Sequence, residues 1–288
     1  MGLDIRHLET FLVAVEEGSI TAAARRLRLA QPAVSRTLAQ LERHVGATLL
    51  ARSAHGVVVT PEGELFQVKA AAALASFTDA VERPFGGPRP LRVGHAWSAF
   101  GEHTSALLRR WRAVRPDQPL DLCRLDDPYA GMASGRVDVS VLRGPQPRPG
   151  YRGELLYSEK RVAALSVEHP LARRRALGLA DLAGDGLIVQ RNSGTATPEL
   201  WAAGARPVVA VEVGSVDDWQ SNVAANNGIG ITPASSSRLH PHAEIVYVPL
   251  TDAPPVPVFL AWPPNSRHPA LEDFVRAAHA VVRGDPKS

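Results

Sequence analysis

The chain has 288 residues, enough for two or three domains with real cores, and 32 basic against 29 acidic side chains leave a formal charge of only +3. That balance excludes a polycation, the single cysteine, Cys123, excludes an internal disulfide, and the longest soft run, AAAALAS at 70–76, is too short to span a bilayer. The N-terminus, MGLDIRHLETFLVAVEEGS, carries acids inside its apolar run and lacks a secretory core, so a cytoplasmic protein is expected, with no membrane partner.

Leu8, Phe11, Leu12 and Val15 recur at helical spacing, which predicts an amphipathic helix over 4–17. Gly18 stops it and Ser19 can cap a short second helix around Ala23, Ala24 and Leu27. After a break at 28–31, Val34, Leu38, Leu41 and Val45 step by four, three and four and predict a third helix, ended by Gly46. Pro32 suits its first position, and Gln31, before proline, marks the boundary. LLAR at 49–52 and VVVT at 57–60 read as a small hairpin, or wing. Thr60-Pro61 opens a long helix with the stripe Phe66, Ala70, Ala73, Phe77 and Val81; about 20 residues of it would run roughly 30 Å. PFGGPRP at 84–90 is a linker.

Beyond residue 90 the pattern changes. Strand candidates lie at 91–94, 120–125, 137–142, 161–167, 185–190, 206–213, 228–233, 244–250 and 256–262. Helical stretches lie at 107–114, 216–226 and 269–283. Short strands alternating with helices predict an α/β sheet region, and no internal repeat is present in the sequence.

Charge is unevenly spread. From Ser19 to Thr60 there are six arginines (Arg25, Arg26, Arg28, Arg36, Arg43, Arg52) and one acid, Glu42. A local positive face on a near-neutral protein suits phosphate contact. The second and third helices fit a helix-turn-helix. Ala22 to Ala24 allow close helix crossing, while Val34, Leu38 and Leu41 form the buried face. Gln31, Ser35, Arg36 and Gln40 are polar, and the first three sit at the N-terminal end, the end that meets base edges in such helices. Gln can pair with adenine and Arg with guanine. Arg25, Arg26 and Arg52 are expected on phosphates, where they set register. A plain alanine-rich helical hairpin with a solvated basic face is the competing reading, which the wing and the long helix disfavour.

The stretch FLVAVEEGS at 11–19 and the run SITAAARRLRLAQPAVSRTLAQLERHVGATLLAR…VVVTPEGELF resemble LysR-type transcriptional regulators. The likeness is dense from residue 4 to about 66 and continues in GRVDVSVL (135–142), HPLARRRALGLADLAGDGLIV (169–189) and VAANNGIGITP (223–233). The resemblance implies an N-terminal winged helix-turn-helix, a long linker helix, and a two-lobed α/β regulatory domain similar to periplasmic binding proteins, with an inducer between the lobes. It also implies subunits paired through the linker helix, as dimers or tetramers. Gln31, Pro32, Ser35 and Arg36 fall on its recognition-helix positions, Arg52 on its wing-strand arginine, and Thr60, Pro61 and Gly63 on the start of the linker helix. Three features depart from the pattern. Ala30 replaces a capping Ser or Thr, a change that typically costs ~1 kcal/mol, so Gln31 or water must satisfy the free N–H groups. His55 stands where the wing usually has arginine. The segment 126–138 is short, which leaves open whether a helix borders the cleft.

The expected domains are 1–60 for DNA, 61–88 for linkage and dimerisation, and 89–288 for effector binding, with lobe I at about 89–157 plus 263–288 and lobe II at about 158–262. Ligands in α/β sheets sit beyond the carboxyl ends of strands. Those ends bring His95, Trp97 and Ser98, then Arg143, then Asn192, Ser193 and Thr195. Hydroxyls, helix N-termini and an arginine favour an organic anion. Expected partners are double-stranded DNA, a small-molecule effector, further copies of the chain, and RNA polymerase. No cofactor or metal is expected: His240 and His242 flank Pro241 with no nearby cysteine or carboxylate, and Cys123 reads as a buried small apolar residue. The alternative is a cytoplasmic α/β binding protein or enzyme with an incidental helical N-terminus, but no G-x-S-x-G or P-loop supports catalysis.

Overall fold

Asp4 starts the first helix, α1 (Ile5–Glu17): its carboxylate accepts from the Arg6 amide at 3.0 Å, and its own amide donates to His7 Nδ1 at 3.2 Å. The computed structural model describes residues 2–53, 56–82, 88–144, 147, 150–191, 195–264, 266 and 268–284. Gly18 closes α1 in the left-handed region (φ 59°), and Ser19 Oγ accepts from the Ala22 amide at 3.3 Å to begin α2 (Ile20–Leu27). Helix α3 (Gln31–Val45) starts one residue earlier than expected, with Gln31 inside it, and ends at Gly46 (φ 78°). Phe11, Ala23, Val34 and Leu41 are fully buried where these three helices meet, and Leu49 closes the core from the wing side.

The wing is the antiparallel pair β1 (Leu50–Ser53) and β2 (Gly56–Val59). Glu42 holds it to α3: Oε1 accepts from the amides of Leu49 at 2.7 Å and Leu50 at 3.0 Å. Helix α4 (Pro61–Glu82) is capped by Thr60, whose Oγ1 accepts from the Gly63 amide at 2.9 Å. Its expected stripe divides. Phe66 meets Phe11 edge to face at 5.3 Å and Ala70 is buried, whereas Ala73, Phe77 and Val81 are exposed because this half of α4 has left the N-terminal core. Residues 83–87 of the expected linker lie outside the described residues.

The C-terminal region holds β3 (Leu91–His95), α5 (Thr104–Val114), β4 (Leu120–Arg124), β5 (Val139–Arg143), β6 (Arg152–Glu159), β7 (Arg161–Ser166), β8 (Leu187–Gln190), β9 (Val209–Val213), α6 (Val216–Ala224), β10 (Gly230–Pro233), α7 (Ser236–Leu239), β11 (Ile245–Pro249), β12 (Val256–Trp262) and α8 (Leu271–Arg283). The first sheet has the order β4-β3-β5-β12-β6, with β3 parallel to β4 and β5, and β12 antiparallel to both its neighbours. The second lobe holds the antiparallel trio β10-β7-β11 and the parallel pair β8-β9. This corrects the lobe boundary. Strand β12 belongs to lobe I, because Val258–Ala261 pair with β5 and the whole strand with β6. The chain therefore crosses between lobes after β6 and again before β12. Strand β6 was not expected: most of its residues are exposed, so it lacks a strand's apolar alternation.

Both regions touch. The segment 126–138 folds as turns with a single 3-10 turn at Met132–Ser134, not as an α-helix, and it rests on α4. Gly135 makes this approach possible: it has φ 71°, and a Cβ there would stand 2.2 Å from the Ala71 carbonyl oxygen. Beside it, Arg136 pairs with Asp127 at 3.3 Å and with Glu16 of α1 at 3.4 Å. Arg89 adds a second tie, reaching Asp79 of α4 at 3.1 Å and Asp138 at 2.7 Å.

Candidate nucleic-acid interface and effector cleft

Helix α3 divides cleanly. Val34, Leu38 and Leu41 point into the core, while Gln31, Pro32 and Arg36 are exposed and Ser35 and Gln40 half-buried. Gln31 Nε2 donates to Ser35 Oγ at 3.0 Å, so these two side chains form one polar unit at the helix start. Gln31 thus does not supply the missing cap of Ala30. Of the expected phosphate residues, Arg25 is exposed on the last turn of α2. Arg26 is exposed but engaged: it pairs with Glu16 at 2.6 Å and Glu17 at 2.9 Å on α1. Arg52 lies on β1 opposite Val57. His55 lies outside the described residues.

Glu42 is a positioning residue that sequence reasoning missed. The signal was present: it is the one acid among six arginines from Ser19 to Thr60, and its carboxylate fixes the wing to α3.

Between the lobes lies a cleft lined by Trp97, Ser98, Arg143 and Thr195 among the expected residues. Asp127, Pro128, Gln190, Pro233 and Ser236 also line it and were not expected. His95 does not line the cleft; burial, then the positive charges of Arg143 and Arg124, lower its pKa. Asn192 and Ser193 lie outside the described residues. Trp97 packs edge to face on Trp219 at 5.9 Å and tilted on His240 at 4.7 Å, and His240 Nε2 contacts Ser98 Oγ at 3.1 Å. Burial also lowers the His240 pKa, so this wall is uncharged near neutrality. Trp219 is core, its Nε1 donating to the Ile188 carbonyl at 3.1 Å.

Arg143 is not the free cation that the expectation of an anionic ligand required. Its side chain is only 9% exposed, with Nη2 3.1 Å from Glu159 Oε1 and Nη1 donating to the Trp97 carbonyl at 2.9 Å. Glu159 is equally buried and also accepts from Tyr157 at 3.2 Å and from the Ser235 hydroxyl at 2.5 Å. Burial raises the Tyr157 pKa, so its hydroxyl keeps its proton. Cys123 is half-buried rather than enclosed, because the last strand of its sheet, β4, leaves it at an edge. Among the described residues there is no group of three metal-ligating side chains and no helix long and apolar enough to cross a membrane.

A winged helix-turn-helix joined by one long helix to a two-lobed cleft module defines a ligand-responsive, DNA-binding regulator. The chain belongs to the LysR family: residues 5–64 match the bacterial regulatory helix-turn-helix protein, lysR family, and residues 86–283 match the LysR substrate binding domain. It is 30% identical to the HTH-type transcriptional regulator TfdS of Cupriavidus pinatubonensis over 96% of this chain and 98% of that one. It is 28% identical to BenM of Acinetobacter baylyi over 90% of each chain. The crystal structure of full-length BenM superposes with a TM-score of 0.55 at 26% identity, covering 98% of this chain and 96% of that chain. Full-length CbnR complexed with its target DNA shares the fold, with a TM-score of 0.57 at 23% identity over 97% and 100% of the chains.

Proposed function

We propose that this regulator docks its operator through residues 1–60, pairs subunits through 61–88, and senses a small organic effector with about 89–288. Gln31, Pro32, Ser35, Arg36 and Gln40 read base edges in the major groove, and Arg25, Arg26 and Arg52 grip flanking phosphates. The observation that carries this reading is the exposed polar edge of α3 set over the buried Val34, Leu38 and Leu41. The exposed Phe77 and Val81 on the far half of α4 suit pairing with the same helix of a second copy, as a dimer or tetramer. Its setting is the cytoplasm, with RNA polymerase as a further partner.

Effector response follows from the contact between regions. Trp97, Ser98, Arg143 and Thr195 line the cleft, and His95, Asn192 and Ser193 are further candidates to hold the effector. Asp127 also lines the cleft and pairs with Arg136, which reaches Glu16; Glu16 in turn pairs with Arg26. Closure of the lobes on a ligand moves the 126–138 turn against α1 and α4 and re-angles the reading heads. This requires the effector to bind one arrangement better than the other. The test is binding of the full chain to a selected operator against salt. Affinity should fall steeply with salt, with a slope set by roughly 0.9 per neutralised phosphate, and Arg36→Ala should abolish the preference for that operator. Salt-insensitive binding, or an unchanged preference in Arg36→Ala, contradicts the reading.

A further inference from the structure

Three buried indoles of this chain give their N–H to a backbone carbonyl. Trp111 Nε1 donates to Gln118 at 3.0 Å, Trp201 Nε1 to Leu179 at 2.6 Å and Trp219 Nε1 to Ile188 at 3.1 Å. Trp97 departs from this pattern. It lines the cleft, yet its Nε1 is buried with no acceptor among the described residues. Arg143, on the same cleft, repeats the condition. Glu159 and the Trp97 carbonyl hold its two terminal nitrogens, whereas its Nε is buried with no acceptor among the described residues. A buried donor without an acceptor costs the desolvation of that group, so two such donors at one cleft call for an acceptor brought by another molecule.

The backbone beside Trp97 is an independent sign. Ser98 (φ 57°) and Ala99 (φ 36°) follow one another in the left-handed region, which residues with a Cβ rarely adopt, and Gly101 (φ 58°) completes the turn. Phe100 anchors this turn in lobe I, fully buried and edge to face on Phe274 at 5.9 Å. Trp97, at the other end of the turn, meets Trp219 and His240 of lobe II instead. Strain of this kind persists only where packing enforces it, and it collects at ligand clamps. The indole thus bridges the two lobes from a strained turn.

We propose that Trp97 is the specificity-determining residue of the cleft: its Nε1, together with Arg143 Nε, donates to a planar oxygen of the effector, a neutral carbonyl or one arm of a carboxylate. This rests on the cleft being the effector site. Pro128, Val141, Leu142 and Pro233 give the rest of such a molecule an apolar wall. Because the same indole touches lobe II, an acceptor that draws it also changes the contact between the lobes, the differential interaction that an effector response requires.

The experiment follows the indole N–H resonances of the full-length chain, carrying isotopically labelled tryptophan, beside calorimetry. Acetophenone and benzoate present the planar oxygen without and with charge, and α-methylstyrene keeps the shape of acetophenone with a methylene in place of the oxygen. The Trp97 resonance, identified by its absence in Trp97→Phe, should move downfield with acetophenone or benzoate, while those of Trp111 and Trp201, already bonded, stay. The tighter of the two tells whether the acceptor is a carbonyl or a carboxylate, and α-methylstyrene should bind about ten-fold or more weakly than it. Trp97→Phe keeps a ring against Trp219 and His240; it should weaken the oxygen-bearing probes about ten-fold, with α-methylstyrene within about three-fold of wild type. Should that variant fail to fold, the resonance is assigned in the wild type from nuclear Overhauser contacts with the His240 ring, and its shift decides. A bound probe that leaves the Trp97 resonance in place, or that binds Trp97→Phe as tightly as wild type, overturns the inference alone when Ala96→Leu, which narrows the cleft, still weakens binding. Binding unmoved by Ala96→Leu overturns the cleft as effector site and the inference with it, as does a chain that binds its operator but answers neither acetophenone nor benzoate up to about 10 mM, a range where weak ligands still register.

Discussion

Gly135→Ala tests the contact between the effector module and the linker helix. Two costs add. At φ 71° an L residue sits in the left-handed region, worth roughly 1–2 kcal/mol. The new Cβ would also stand 2.2 Å from the Ala71 carbonyl oxygen and 2.8 Å from its carbon, and no rotamer change can relieve a clash between backbones. Overpacking of this kind costs about 1–3 kcal/mol, so the total is on the order of 2–5 kcal/mol. All five tryptophans (Trp97, Trp111, Trp201, Trp219, Trp262) lie beyond residue 90, so fluorescence-detected melting follows the effector module. In a module of this size the loss should lower its midpoint by on the order of 5–15 °C. Gly184→Ala is the control: its Cβ meets nothing within 4 Å, so the change should be neutral or slightly stabilising, by up to about 1 kcal/mol. Operator binding without effector should persist in Gly135→Ala, while the response to effector shrinks. A midpoint and an effector response equal to those of Gly184→Ala would refute the reasoning.

Three further outcomes are expected. Glu42→Ala leaves the Leu49 and Leu50 amides without their acceptor and should cost roughly 1–3 kcal/mol in urea unfolding followed by circular dichroism, while Glu42→Gln, which keeps an acceptor, should cost less. Arg25→Ala should weaken operator and random DNA alike and reduce the salt slope by about one, whereas Ser35→Ala should lose roughly 1–3 kcal/mol on the operator alone in competition assays. His268 is buried between the Arg89 carbonyl, 3.1 Å from Nε2, and the Ala270 amide, which donates to Nδ1 at 3.2 Å. Burial lowers its pKa below the ordinary 6.5 despite the nearby Asp138, so the folded state favours the neutral ring. Its contribution is complete above pH 6.5 and is lost as pH falls through the lowered folded value. Stability should therefore drop on acidification below pH 6.5, and His268→Asn should show a shallower drop in pH-dependent melts.

How much of this was legible in the sequence follows from the range of the forces involved. Helices α1, α3, α4 and α8 announce themselves because their stripes and stops are local: Leu8, Phe11, Leu12 and Val15, then Gly18, need no partner to be read. Strand β6 does not, because its exposed residues at Arg152–Leu155 carry no alternation, and it is strand only through pairing with β12. The lobe boundary failed for the same reason: β12 follows β11 in the chain but joins β5, more than a hundred residues upstream. In the cleft, the strand-end rule brought Trp97, Ser98, Arg143 and Thr195 together, and sequence alone could not show that Glu159 neutralises Arg143. Asp127 was missed because its role depends on the turn that wraps its own carboxylate.

The central claim, that the exposed edge of α3 reads DNA, is tested most directly by hydroxyl-radical footprinting of the full chain on a selected operator, beside the triple variant Gln31→Ala, Ser35→Ala, Arg36→Ala. The account expects two protected patches about one helical turn, ~34 Å, or a multiple apart for the wild type. It expects the triple variant, with an unchanged melting profile, to lose the pattern while keeping weak, salt-sensitive binding. The same two patches at the same affinity in the variant would contradict it.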